Sequence, residues 1–217
     1  MGQHYACAII ISLAPVGWPI VDSVTTGLLV RATTAGVKLA LEGILSGYIM
    51  SNPLWEYSLV TYRAEEIAAT CLALQDRFGV DVNLLLYAAW LARNNRCLDT
   101  EHLNELDALV TKWRDSVVRP LRGLRHQLQT YTEAAAVREE LKTLELRAEQ
   151  EQQEVMYAFH QRSVTDTSAD DSLLGNLTRV ALLASPGSRE WESTISQLAT
   201  LIARCGRGGA REGWVVR

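Results

Sequence analysis

The stretch PLWEYSLVTYRAEEIAATCLALQDRFGVDVNLLLYAAWLARNNRCLDTEHL, residues 53–103, decides the fold. Its apolar residues recur at helical spacing, with capping residues between the runs. Asn52 followed by Pro53 predicts a helix start, because Asn can cap free N–H groups and Pro at the first helical position loses no hydrogen bond. The block therefore predicts an all-α fold.

Three further helices follow from the same block. The second runs from Ala64 to Phe78, and Gly79 ends it because glycine enters the left-handed C-cap conformation cheaply. Asp81 caps a third helix, about Val82 to Arg93, and Asp99-Thr100 starts a fourth. The third helix is apolar on almost every face but too short to span a bilayer, which predicts a place in the middle of a bundle.

The second half predicts further helices around this bundle. Pro120 lacks an N–H donor and must kink or restart its helix. We expect an orthogonal or irregular helical bundle over residues 52–131 and a long amphipathic helix over 132–163. After a polar loop, a C-terminal helical hairpin covers 172–205, with helices over 173–184 and 189–204, and 206–217 forms a disordered tail.

Residues 1–49 differ in character from the rest, with few charges and much Ala, Ile, Val, Thr and Gly. Three interpretations stay open. The segment is upstream sequence from a misassigned start, with Met50 as the native one. Or residues 6–30 form a signal or membrane-facing segment, although no Lys or Arg precedes them. Or it is a genuine helical extension of the bundle.

Composition narrows the class of function. The chain has 217 residues, 48% of them hydrophobic, which suffices for a real core. Its net charge is −4 and its pI about 5.6, which argues against general affinity for nucleic acid. The four cysteines form no CxxC pair, and Cys71 lies on an apolar helix face, as expected of a buried thiol in a reducing cytosol.

No strong catalytic or metal-binding motif is present. The four histidines have no partner at a metal-ligand spacing, and HExxH, GxSxG and the glycine-rich phosphate loops do not occur. We therefore predict no catalytic residue, no metal site and no cofactor.

One candidate pocket combines polar and aromatic residues of the first helices. Carboxylates near a helix–helix turn can bind a cation or act as an acid–base pair, and aromatic side chains can line an apolar cavity. The structural alternative is that the acids cap helices and the aromatics form plain core. The pocket candidates are Trp55, Asp76, Asp81, Asn83, Tyr87 and Trp90.

Two candidate surfaces lie further along the chain. A basic patch could bind phosphate, RNA or an acidic partner, or form a solvated face paired with the acids of the next helix; it consists of Arg114, Arg119, Arg122 and Arg125. A short heptad pattern on the long helix indicates a face for a protein partner or a homodimer, although it lasts only about two heptads. That face consists of Val137, Leu141 and Leu144.

The motifs PLWEYSL, LQDRFGVDVNLLLYAAWLA and WRDSVVRPLRGLR occur in this order between Asn52 and Leu128. Together they resemble a small, mostly proteobacterial family of short helical proteins classed as a domain of unknown function. The resemblance implies an intracellular helical domain. It brings no substrate, cofactor or catalytic residue.

Two functions stay in competition, both for a cytoplasmic protein. The first is a non-enzymatic interaction or regulatory module that presents the long helix and basic segment to a partner. The second is a small-molecule-binding or enzymatic bundle that uses Asp76 and Asp81 beside an aromatic-lined pocket. Membrane association would require residues 6–30 to be native, and remains the weakest hypothesis.

Overall fold

The computed structural model describes residues 52–163 and 172–208, and the regular elements of these residues are all helical. The predicted all-α class is therefore confirmed. The predictions for residues 1–49, for most of the 164–172 loop and for 209–217 lie outside the described residues. The helices are α1 Pro53–Tyr62, α2 Glu65–Phe78, α3 Val82–Arg93, α4 Thr100–Trp113, α5 Arg119–Gln127, α6 Ala135–Arg162, α7 Ser172–Ala184 and α8 Glu192–Gly208.

The predicted caps form in the structure. The Asn52 side chain accepts hydrogen bonds from the backbone N–H groups of Leu54 and Trp55, and Asp81 caps α3 in the same way. Gly79 ends α2 with a φ of 70°, a left-handed conformation that a residue with a Cβ adopts only under strain. These local rules place the first helices correctly.

Helix α3 occupies the centre of the bundle, as its apolar sequence predicts. Every residue from Asn83 to Leu91 is buried. Helix α3 packs against α1, α2, α6 and, most extensively, α7. Because it is covered on all sides, its position fixes the arrangement of the helices around it.

The C-terminal hairpin shares this core. Helix α7 packs on α3, and α8 packs on α2. The apolar side chains of both helices, and Trp191 just before α8, are buried in one cluster with those of α2 and α3. From the helices these are Leu177, Val180, Ala181, Ile195, Leu198 and Leu201. The hairpin is therefore an integral layer of the fold.

Pro120 is accommodated by a change of helix type. The five residues Arg114–Val118 between α4 and α5 form a π-helical segment. The wider turn shifts the hydrogen-bond register just before Pro120, which stands in the first turn of α5, where its missing N–H costs least. The chain thus continues past the proline as an almost unbroken helix.

Two helix ends differ from expectation. The 3-10 turns Leu128–Thr130 and Thr132–Ala134 delay the start of α6 to Ala135. Helix α8 runs to Gly208, into the segment predicted as a tail. Extending a formed helix is much easier than nucleating one, so α8 passes Gly206 where composition alone predicts its end.

Candidate functional site

A groove lies between α1, α2, α3, α5 and α6. Its volume is about 550 Å³, within the range of roughly 300–1,000 Å³ typical of small-molecule sites. The apolar part of its lining comes from several helices and comprises Trp55, Tyr62, Leu72, Val82, Leu86 and Leu146. The groove is thus a concave site with an apolar lining and polar groups.

An ion-pair network joins α5 to α6 along one wall of the groove. Glu145 has no exposed side-chain surface and accepts hydrogen bonds from Arg122 and Arg125. Arg122 also donates to Glu149, with an N–O distance of 2.6 Å, and to the amide oxygen of Gln75 on α2. Because these guanidinium groups are held by several acceptors each, the wall is rigid before any ligand arrives.

A chain of neutral hydrogen bonds lies beside this network. Ser58 on α1 donates to Gln153 Oε1 at 2.9 Å, and Gln153 Nε2 donates to Asn83 Oδ1 at 2.8 Å. All three side chains are buried and line the groove. The chain therefore connects α1, α6 and α3 through groups that are already paired with one another.

Glu149 is a lining group whose acid–base chemistry is altered by its surroundings. Burial raises its pKa from 4.5 to about 7, an effect that the Arg122 guanidinium opposes and the neighbouring Glu145 strengthens. A carboxyl group that titrates near neutral pH can hold or release a proton under physiological conditions. This is the property that acid–base chemistry would require of the groove.

The structure brings three of the six predicted pocket residues together. Trp55, Asp76 and Asn83 line the groove. Asp81 lines a smaller neighbouring cleft of about 90 Å³, where it caps α3 and accepts from Arg114 and Gln152. Asp76 and Asp81 therefore do not face each other across one site, and the expected acid–base pair does not form.

Tyr87 and Trp90, the other two predicted pocket residues, lie outside the groove. Tyr87 is fully buried, and its ring stacks parallel to His102 while Trp90 meets His160 edge-on. In this case the plain-core interpretation of the aromatic residues describes the structure, because successive turns of α3 face different neighbours.

A buried polar cluster surrounds the Tyr87 hydroxyl. It lies 2.7 Å from His102 Nε2 and 3.3 Å from His160 Nδ1. Since a phenol carries one proton, it can donate to only one imidazole and must accept from the other. Burial lowers the pKa of both histidines, that of His160 to about 4, and raises that of the Tyr87 phenol. The three groups thus form a neutral network within the core.

The predicted basic patch is not a free cationic surface. Arg114 pairs with Asp81 and Asp107, at N–O distances of 3.0 and 2.7 Å. Arg119 is exposed and pairs with Asp115 at 2.8 Å, whereas Arg122 and Arg125 belong to the groove wall. Their positive charge is largely compensated within the chain, as in the structural alternative to a phosphate or RNA site.

The predicted partner face is divided. Val137 and Leu144 are each 52% exposed, while Leu141 is buried. The heptad stripe therefore does not form one uniform apolar surface.

Sequence reasoning missed the polar groove residues of α6. Glu145, Glu149 and Gln153 lie at a spacing of four, which places them on one helical face. None of the three is among the site residues predicted from the sequence. The sequence signal for this face was a pair of arginines, Arg122 and Arg125, on one side of the preceding helix, since they are possible partners for the acids.

Among residues 52–163 and 172–208, no cluster of three or more His, Cys, Asp or Glu side chains is placed to hold a metal ion. None of the helices in these ranges has the length and apolar character that crossing a bilayer requires.

Comparison with known proteins yields one match. A family model described as "Protein of unknown function (DUF2390)" matches residues 53–156, from the first residue of α1 to Met156 in α6. Searches of curated proteins and of solved structures found no match. The match extends beyond Leu128, where the resemblance was expected to end. It includes the residues of both α5 and α6 that form the ion-pair network. Residues 53–156 are therefore similar to this family of unknown function.

Proposed function

We propose that this protein binds a small organic molecule in the groove between α1, α2, α3, α5 and α6. The observation that carries the proposal is the groove itself: about 550 Å³, with an apolar lining and a wall of fixed charged side chains. Small-molecule sites have this composition, with a few placed polar groups among apolar ones.

The rigidity of the wall supports binding further. Ordering flexible side chains around a ligand costs about 0.5–1.5 kcal/mol for each one immobilised. Arg122, Glu145 and Gln153 are already held by hydrogen bonds within the chain, so their ordering cost falls on folding and not on binding. A preorganised wall favours affinity for a ligand that fits it.

A fragment screen on the full chain tests the proposal. We expect a subset of compounds to raise the melting temperature and to shift the NMR signal of the Trp55 indole, because Trp55 lines the groove. Trp55→Ala should abolish these effects. Trp113→Ala is the matched control, since Trp113 is also partly exposed but bonds to Ala148 outside the groove. Hits that bind both variants equally would contradict the proposal.

A second candidate function is association with a protein partner, or with a second copy of the chain, through α6. It is favoured by the exposure of Val137 and Leu144 on this 28-residue helix. Light scattering on the full chain should show association that V137S/L144S abolishes. Leu109→Ser, an equally exposed leucine on α4, is the control. The candidate would be contradicted if the wild-type chain is a monomer at every concentration and no partner protein loses binding when Val137 and Leu144 are replaced.

We also propose a cytoplasmic location. Burial raises the pKa of the Cys71 thiol to about 12, which makes it an inert core residue of the kind found in reducing compartments. Cell fractionation should recover the native protein with cytosolic markers, and recovery with periplasmic or membrane markers would contradict the proposal.

A further inference from the structure

The starting observation is an uncompensated positive charge in the groove. Arg138, on the first turn of α6, is partly buried and lines the groove. Within the part of the chain that the structure describes, its guanidinium makes no ion pair or hydrogen bond. A partly desolvated charge without a partner is unfavourable, so the position is suited to an anion that arrives from outside the chain.

The neighbouring side chains strengthen the positive charge of this region. Lys142 lies one turn further along α6 and also lines the groove. Among the residues that the structure describes, its one ion pair is with Glu139, at 3.2 Å. This exposed contact between residues three apart contributes little stability and can be exchanged for a ligand.

The acids of the groove do not offer a matching site for a cation. Glu149 is engaged by Arg122, and the exposed Glu139 by Lys142. Asp76 makes no ion pair among the described residues, but it is exposed, so water solvates its charge at little cost. The unpaired charge that is also partly buried is therefore the positive one.

The position of Arg138 in its helix points the same way. The first turn of a helix carries the positive end of the dipole, which favours acids and disfavours cations. Helix α6 begins at Ala135 after Ala134, which provides no side-chain cap. A bound anion beside Arg138 would therefore offset the unfavourable interaction of its charge with the helix dipole.

We infer that the groove binds an amphipathic organic anion, with its carboxylate or phosphate on Arg138 and Lys142 and its apolar body against Trp55, Leu72 and Leu86. This inference rests on the proposed function and specifies the ligand class. Arginine can bind such head groups through two parallel N–H donors, and the apolar side chains account for the rest of the ligand.

The test uses one apolar body with four head groups on the full chain: phenylbutyrate, phenylbutyl phosphate, phenylbutanamide and phenylbutylamine. Calorimetry gives affinities, and the Trp55 indole signal reports on the groove. We expect the carboxylate or the phosphate to bind at least about tenfold more tightly than the amide, as a charge-assisted hydrogen bond predicts. Comparing these two compounds shows which anion is preferred.

Two variants make the test specific. Arg138→Gln should remove the preference for the anion, whereas Arg147→Gln, an exposed arginine of α6 outside the groove lining, should retain it. If the amide or the amine binds as tightly as the anions and shifts the Trp55 signal, the anion inference is overturned and the proposed function stands. If no compound shifts that signal and the wider fragment screen is also negative, both are overturned.

Discussion

At Glu145 a carboxylate with no exposed surface lies between two guanidinium groups of α5. Removing one member of a buried ion pair is costly because the charges left behind have lost both water and their partner. Arg122 retains Glu149, whereas Arg125 loses the ion pair that it makes with Glu145. The stability of the fold should therefore be sensitive to substitution of Glu145.

We expect Glu145→Gln to lower the free energy of unfolding by about 3 kcal/mol. Chemical denaturation at pH 7 measures the change. Glu139→Gln is the control, because Glu139 is exposed and forms a surface ion pair with Lys142, so its loss should cost about 0–1 kcal/mol. Equal effects of the two substitutions would show that the buried network contributes no more than a surface pair.

Glu149 makes a prediction about pH. Its pKa rises from 4.5 in the unfolded chain to about 7 in the fold, so the folded state holds this proton to higher pH. Its contribution to stability is therefore fully present below pH 4.5 and is lost as the pH rises towards 7. Gln mimics the protonated acid. We therefore expect the free energy of unfolding of Glu149→Gln to increase by about 1–3 kcal/mol relative to wild type as the pH rises from 4.5 to 8. Chemical denaturation of both proteins at several pH values measures this difference in free energy of unfolding. A difference that does not change with pH would contradict the prediction.

His160 makes the opposite prediction at acid pH. Its pKa falls from 6.5 to about 4 on folding, because burial and the nearby Arg96 and His102 disfavour the charged ring. The stability that it contributes is present above pH 6.5 and is lost as the pH falls towards 4. His160→Gln should flatten the acid side of the stability profile. Equal acid slopes in wild type and His160→Gln would refute the assignment.

At the scale of the element, one buried polar side chain of α7 binds the backbone of the bundle, in addition to the apolar packing of α7 on α3. Asn176 is fully buried, accepts from the Leu98 N–H at 2.8 Å, and donates to the carbonyl groups of Ala88 and Arg96 at 3.1 and 3.0 Å. It thus satisfies the backbone where α3 ends and the loop to α4 begins. Buried backbone groups left without partners cost about 1–3 kcal/mol each.

We expect Asn176→Ala to destabilise the protein by about 2–4 kcal/mol, because it removes three buried hydrogen bonds at once. Asn104→Ala on the exposed face of α4 is the matched control and should be neutral or slightly stabilising, since alanine is the better helix former. Thermal and chemical denaturation measure both. A loss below about 1 kcal/mol would show that water or local rearrangement replaces these bonds.

At the scale of the whole molecule, the hairpin and the bundle share one hydrophobic core. Trp191 and Leu198 of the hairpin region are buried in the same cluster as Leu74 of α2 and Leu91 of α3. Elements that bury a common core unfold together, because separating them exposes the apolar surface of both. The sequence predicted a hairpin attached to the bundle and not a shared core, because the sequence does not show where the apolar face of the hairpin packs.

We therefore expect one cooperative unfolding transition for residues 52–208. Far-UV circular dichroism reports on all helices, and the Trp191 fluorescence, isolated by comparison with Trp191→Phe, reports on the hairpin. The two curves should have the same midpoint. A hairpin transition that precedes the loss of bundle helicity would show that α7 and α8 are an independent unit.

The sequence by itself determined the helices and the burial of α3. Caps such as Asn52 and Asp81, the stop at Gly79 and apolar spacing act within a few residues, so their effect is readable along the chain. The sequence could not decide which acids face inward. Glu145 and Glu149 have a spacing that suits a solvated helix face as well as a buried one.

Only the tertiary structure decided the groove. The α5–α6 turn brings Arg122 beside Glu145 and Glu149, residues more than 20 positions away, and α1 and α3 complete the site with Ser58 and Asn83. The same packing separates Asp76 from Asp81 and turns Tyr87 away from the groove. The physical reason is that desolvated charges require partners, and the identity of those partners depends on which helices pack together.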